Sequence, residues 1–356
     1  MYRRSSHIRF LCASKFIHVI RKNERLQVLI RLWRCYSGTV RSMSKFGVFS
    51  ITCFLVYAQV AGIGTVNPPV SRATVSSASN LESTCGKEAT ERGLGQRVIS
   101  YSLYVPYSEP FPKDFRYTQT LGSVVERATT AYPGWSIRIY HNVSQSFSFW
   151  HFLHDVQSRF PHVDLCPVYD LPPPLNDLSA RQPIGRLWRF AVMGDPLVKQ
   201  FMVRDIDSFV ISREVEAVNA WLSSSRTFHV FRDHPDTLHP MLAGLWGGKQ
   251  GQSFPFSEAA SLRDGMLFSP PMHHYYYDQE LLQRFAWPLV KKDALVFDSY
   301  TCEKPEFGES QPFPTQRDEF LFVGYVPSKK KEYEMVKNTP CPMACRPRLH
   351  LDWVYC

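Results

Sequence analysis

Arg204-Asp205-Ile206-Asp207-Ser208 stands directly after the apolar run Phe201-Met202-Val203. A run that short reads as a buried strand. Two carboxylates one residue apart at its end can both turn toward a single site where the chain leaves the sheet. Such a pair suits a hard divalent cation, Mn²⁺ or Mg²⁺, which takes oxygen ligands and accepts phosphate oxygens as the remainder of its shell. A metal held there would neutralise a diphosphate as it departs, which points to a nucleotide-diphosphate donor. In a solvated turn the same residues would do no chemistry, so the surrounding elements matter.

Those elements alternate. The residues 98–104 are β-rich, 121–130 read as a helix, and the turn Tyr132-Pro133-Gly134 leads into a strand over 135–140. A helix is predicted over 149–159, then a short strand over 165–168 before the breaker Pro172-Pro173-Pro174. Helical periodicity spans 187–193. The strand carrying Asp205 and Asp207 follows, then a helix over 214–222 with Ala217, Val218, Trp221 and Leu222 on its apolar face, and a strand over 227–231. The alternation predicts an α/β fold with a mostly parallel sheet flanked by helices. A second acid, Asp298, ends the apolar run Ala294-Leu295-Val296-Phe297, again a strand end.

The chain has 356 residues, 44% hydrophobic and 14% aromatic, which excludes a mainly disordered protein. Its formal charge of +9 is unevenly placed. Residues 1–45 hold eleven Lys/Arg and one acid, net +10, so the rest of the chain carries −1. No broad basic face remains for a nucleic-acid backbone, and no nucleic-acid partner is expected. The basic stretch abuts an uncharged run over 46–64, long enough to cross a bilayer of about 30 Å. Positive flanking charge on one side orients the N-terminus to the cytosol. The alternative is a cleavable signal peptide, with Met43 as a second start. The expected organisation is a basic cytosolic tail (1–45), a membrane anchor (46–64), a Ser/Thr/Ala/Gly-rich stem (65–96) and one luminal domain (97–356). Cys85, Cys166, Cys302, Cys341, Cys345 and Cys356 lie beyond the apolar run, an even number in a compartment that permits disulfides. At least one of the last three is expected to reach Cys85, Cys166 or Cys302, tethering a C-terminal flap over or beside the catalytic face. Asn142-Val143-Ser144 is a glycosylation sequon.

Further groups could handle a sugar nucleotide. Asp233 and His234, in Arg232-Asp233-His234-Pro235, could hold donor hydroxyls. In Gly244-Leu245-Trp246-Gly247-Gly248, the glycines Gly244 and Gly247 would let backbone N–H groups approach a sugar or phosphate, and Trp246 could stack on a pyranose. The bland reading of that stretch is a tight turn. Arg204 could meet phosphate or pair with a neighbouring acid. Asp278-Gln279 opens a predicted helix after the aromatic cluster His273-His274-Tyr275-Tyr276-Tyr277. The adjacent histidines lack the i, i+4 spacing of a metal pair and read as structural, and Arg138 reads as half of an internal salt bridge.

Taken in order, these segments resemble metal-dependent glycosyltransferases of the GT-A type, especially an uncharacterised group of them. The resemblance rests on Ser100–Tyr104, Tyr132–Tyr140, Arg204–Ser208, Arg213-Glu214, Ala217–Leu222, Arg232–Pro235, Gly244–Gly247, Asp278-Gln279 and Asp298–Tyr300, and covers 97–356. Two departures are Val105-Pro106 where the pattern has Gly, and Phe297 where it has His. The resemblance implies a GT-A-like sheet and transfer from a nucleotide-diphospho-sugar to a glycan, protein or lipid acceptor. It implies Mn²⁺ or Mg²⁺ at Asp205 and Asp207 with Asp298 near the metal, and Asp278 and Gln279 beside the reacting anomeric carbon. With the 46–64 run as anchor, the expected location is the Golgi or endoplasmic reticulum membrane with a luminal catalytic domain, and the protein is secreted if that run is cleaved. Two other classes compete: a non-catalytic luminal sugar-binding protein on the same fold, and an Asp-x-Asp phosphohydrolase, which would want its motif after the first strand.

Overall fold

In the computed structural model the described residues are 81–106, 110 and 117–356. The expected tail, the 46–64 run and the first half of the stem (65–80) lie outside them. Among the described residues no helix is long and apolar enough to cross a membrane.

The described residues are built on one seven-stranded sheet, with β1 (Gln96–Leu103), β2 (Ser136–His141), β3 (Val163–Pro167), β4 (Val198–Arg204), β5 (Phe228–Arg232), β6 (Leu245–Lys249) and β7 (Ala294–Asp298). Their spatial order is β3-β2-β1-β4-β6-β5-β7. All pairings are parallel except those of β6, which runs antiparallel to both β4 and β5. The main helices are α1 (Tyr117–Ala131), α2 (Ser148–Arg159), α3 (Ser212–Ser223), α4 (Phe256–Leu267), α5 (Tyr277–Leu281) and α6 (Lys330–Asn338). The predicted mostly parallel sheet is therefore present, with β6 as its antiparallel member. The 187–193 stretch is a 3₁₀ helix, Gly185–Val192.

Strand periodicity explains why β4 reads as a continuous apolar run. Phe201 and Val203 enter the core on one face of the sheet, and Met202 enters the core on the other. Both faces are covered there, so these three positions are all apolar, while the polar Lys199, Gln200 and Arg204 lie toward the strand ends. Helix α3 covers the second face with Ala217, Val218 and Trp221, the stripe expected from its sequence. The sequence predicts no strand at β6, because Gly-Gly and a lone Trp carry little β signal. Packing explains the glycine: a β-carbon at Gly247 would lie 2.3 Å from the Phe201 carbonyl and 2.4 Å from the His229 ring.

The topology creates a crevice. From β1 the chain builds outward through β2 and β3, then returns to place β4 on the other flank of β1. The carboxyl ends of β1 and β4 thus diverge at the point where strand order reverses, the usual position of ligand sites in open α/β sheets.

The six described cysteines form three disulfides, Cys85–Cys166, Cys302–Cys345 and Cys341–Cys356. The bridge to Cys302 ties the C-terminal segment to the domain across 43 residues of sequence. Arg138 is buried and donates to Asp195 at 2.7 Å, the internal pair expected for it. Asn142 of the sequon spans two strand ends: its Oδ1 accepts from Val105 N at 2.8 Å and its Nδ2 donates to Val105 O at 2.9 Å. Its amide is thus committed to holding β1 beside β2.

Candidate active site

Asp205 is the first residue past β4. The turn that follows is closed by Ser208 N donating to Asp205 O at 3.1 Å. Ile206 points into the core, while Asp205 and Asp207 on either side of it line one cavity of about 210 Å³. Tyr104, just beyond β1, lines the same cavity, so it sits at the crevice predicted by the topology. Asp278 and Gln279, from α5, complete a set of four sequence-predicted residues brought together there.

Three cations face these acids. Arg189 donates to Asp205 through Nη1 and to Asp278 Oδ2 at 3.0 Å through Nη2. Arg186 Nε lies 3.8 Å from Asp278 Oδ1. Lys329 lines the cavity and pairs with Glu332 at 3.1 Å. Burial works against the Arg189 charge, but Asp205 and Asp278 outweigh it and raise its pKa. Burial also pushes the Asp278 carboxyl above its ordinary range, against the pull of Arg189. Burial opposes the Lys329 charge as well, yet Glu332 and the nearby Asp207 help to keep the amine protonated. Among the described residues, three carboxylates and three cations leave the cavity close to neutral.

Gly244 and Gln279 shape the mouth of this site. A β-carbon on Gly244 would stand 2.1 Å from Asp205 Oδ2, so any side chain there would push the carboxylate aside. Ala243 N donates to Gln279 Oε1 at 3.1 Å, tying that turn to α5. Asp205 remains about half exposed, with a side-chain accessibility of 48%. The donor set fits a hard divalent cation that takes one or two carboxylates and completes its shell with phosphate oxygens and water. Among the described residues, no group of three or more His, Cys, Asp or Glu side chains is arranged to hold a metal by itself.

Several expected site residues are placed elsewhere. Asp298 is fully buried, where it accepts from Arg232 Nε at 2.9 Å, Tyr300 N at 2.9 Å and Thr301 N at 2.7 Å. It caps the turn after β7 and does not line the cavity. Phe297, in the position where the resembled pattern has His, packs against Phe231 and Phe313 in the core. Asp233 is a buried hub, accepting from Arg213 Nε at 3.0 Å, Val323 N at 2.9 Å, Ser299 and Arg317. His234 lies within hydrogen-bonding distance of the Glu332 carbonyl at 3.1 Å and packs on Phe322. Trp246 has no exposed surface and meets Phe201 edge-to-face at 5.4 Å, so it is core and no sugar platform. Arg204 is buried and pairs with Glu214 at 2.7 Å, the neighbouring-acid alternative. Gly247 packs inside the sheet.

Arg186, Arg189 and Lys329 are the site residues that sequence reasoning missed. A signal existed for two of them. Arg186 and Arg189 punctuate the otherwise apolar Leu187, Trp188, Phe190, Ala191 and Val192, and a charge in such a run must find an acid.

No protein-family model matches the sequence, and no curated protein matches it. Solved structures do. A glycosyltransferase involved in glycosylation of the major capsid of PBCV-1 is 14% identical, with 67% of this chain and 97% of that one covered and a TM-score of 0.32. The 4-diphosphocytidyl-2C-methyl-D-erythritol synthase of Anaerococcus prevotii DSM 20548 is 9% identical, covering 71% and 100% with a TM-score of 0.34. The mannosyltransferase PcManGT of Pyrobaculum calidifontis, solved with GDP-Man and Mn²⁺, is 9% identical, covering 78% and 72% with a TM-score of 0.35. The solved structures to which this chain is similar thus include two glycosyltransferases.

Proposed function

We propose that the domain is a GT-A-type glycosyltransferase that uses a nucleotide-diphospho-sugar donor. The observation that carries this reading is the convergence of Asp205, Asp207, Asp278 and Gln279 on one cavity at the switch point of the sheet. Asp205 and Asp207 would hold Mn²⁺ or Mg²⁺, which supplies positive charge to a diphosphate leaving group. The charge balance supports that role. Arg186, Arg189 and Lys329 are already matched by three carboxylates, so a donor diphosphate would bring negative charge that a divalent cation neutralises.

In this reading Arg189 orients Asp205 and Asp278 together, and Lys329 offers a fixed positive charge near the phosphates. Asp278 and Gln279 flank the sugar. An acceptor hydroxyl oxygen bonds to the anomeric carbon, and the carbon–oxygen bond to the diphosphate breaks with its electron pair. The hydroxyl proton leaves with the diphosphate. The phosphohydrolase reading loses ground because Asp205 follows β4 and not the first strand. Three disulfides favour an oxidising compartment, so we place the domain in the secretory lumen of the Golgi or endoplasmic reticulum, tethered by 46–64. The test is manganese-dependent hydrolysis of a nucleotide-sugar panel by the full-length protein. Turnover of one or more donors supports the proposal; none with any donor or divalent metal refutes it.

A further inference from the structure

A second hollow, of about 420 Å³, opens beside the cavity and shares Tyr104, Arg186 and Tyr275 with it. Pro183, Ile184 and His273 also line it. We propose that this groove is the acceptor site and that its occupant is a saccharide. The inference rests on the transfer reading above and adds the chemical class of the acceptor.

Continuity is the first argument. The two hollows have a common wall, so a molecule in the groove presents its end to the space between Asp205 and Asp278. The size lies within the range in which small-molecule sites are built. Among the described residues no carboxylate lines the groove, so none of them selects a basic peptide. A lipid tail would cover Arg186 and His273 without satisfying them, which costs free energy.

Aromatic exposure is the second. Tyr275 is 70% exposed and Tyr276 45% exposed, edge-on to each other at 5.0 Å. Neighbouring rings left in water offer an aromatic face on which a partner can stack. These rings stand on a braced segment. Arg186 Nη2 donates to the His274 carbonyl, and the Tyr277 hydroxyl donates to the Pro270 carbonyl. A pyranose has a face of C–H groups and a rim of hydroxyls. The C–H face complements the negative face of a tyrosine ring, and the rim suits the His273 and Arg186 nitrogens.

The experiment uses full-length protein in detergent on a panel of immobilised oligosaccharides, with and without manganese and nucleoside diphosphates. At least one saccharide class should bind. Tyr275→Ala should weaken that binding about ten-fold, the scale of one aromatic contact, and Tyr275→Trp should retain it. Thermal melting of Tyr275→Ala should match the parent, because the side chain is exposed. Absence of binding to every saccharide, or equal binding by Tyr275→Ala, overturns the assignment. Donor hydrolysis on the same preparation separates the two readings. Hydrolysis without saccharide binding removes the groove and leaves the transferase; Tyr275-dependent binding without hydrolysis removes the transferase and leaves the saccharide groove.

Discussion

Gly244 packs so closely on Asp205 that a β-carbon there would stand 2.1 Å from Oδ2 of the carboxylate. Gly244→Ala must therefore displace the side chain proposed to hold the metal, while the sheet can stay intact. Misplacement of a site group by about 1 Å costs on the order of 10²-fold in rate. Gly247→Ala makes the useful contrast, since its β-carbon would meet the Phe201 carbonyl at 2.3 Å inside the sheet. That change should cost about 1–3 kcal/mol of stability, as overpacking does. Donor hydrolysis and thermal melting on both variants check the pair. Unchanged hydrolysis in Gly244→Ala would mean that Asp205 does not act where it stands.

Asp298→Asn should be a stability mutation. The carboxylate is fully buried and accepts from Arg232, Tyr300 and Thr301. Neutralising it leaves the Arg232 guanidinium buried without its counter-charge, at about 3–5 kcal/mol. Thermal melting should fall with no change in the manganese concentration that supports hydrolysis. Normal melting with weakened manganese dependence would instead make Asp298 a metal ligand.

The legible and illegible parts of the chain divide along physical lines. Alternation of apolar runs with amphipathic stretches exposed β1, β2, β4 and α3, because burial on both strand faces or along one helix face leaves a periodic trace. The Asp205–Asp207 pair was visible because acids at a strand end are local in sequence. By contrast, β6 was hidden: its glycines answer to Phe201 and His229, which are distant in sequence. Asp233, Asp298 and His234 also end strands or follow them, yet the residues beyond β7 fold over them and absorb their hydrogen bonds. Sequence shows that a polar residue leaves a strand, but not whether a later segment covers it. Arg189 escaped notice for the reverse reason, since its partners Asp205 and Asp278 lie 16 and 89 residues away.

Acid should loosen the C-terminal segment through Asp233. Burial pushes this carboxyl up, but Arg213, Arg317, the Ser299 hydroxyl and the Val323 N–H outweigh it and hold it below its ordinary value. A depressed carboxylate stabilises the fold above its unfolded pKa, about 4, and that stability is lost as pH falls through the folded value. Val323 and the Cys356 carbonyl both belong to this network, the latter through Arg213 at 2.8 Å. Protection of residues 300–356 against hydrogen exchange should fall below about pH 4, before that of the sheet. Asp233→Asn should expose the segment at neutral pH as well. Equal protection at both pH values in the parent would contradict the role given to Asp233.

The central claim is that Asp205 and Asp207 hold a divalent cation together with a nucleoside diphosphate. Titration calorimetry of the full-length protein with a panel of nucleoside diphosphates, with and without manganese, tests it most directly. The account predicts binding of at least one nucleoside diphosphate that requires manganese and falls about 10²-fold or more in Asp205→Asn and in Asp207→Asn, with thermal melting unchanged. Manganese-independent binding, or binding that either substitution leaves intact, would contradict it.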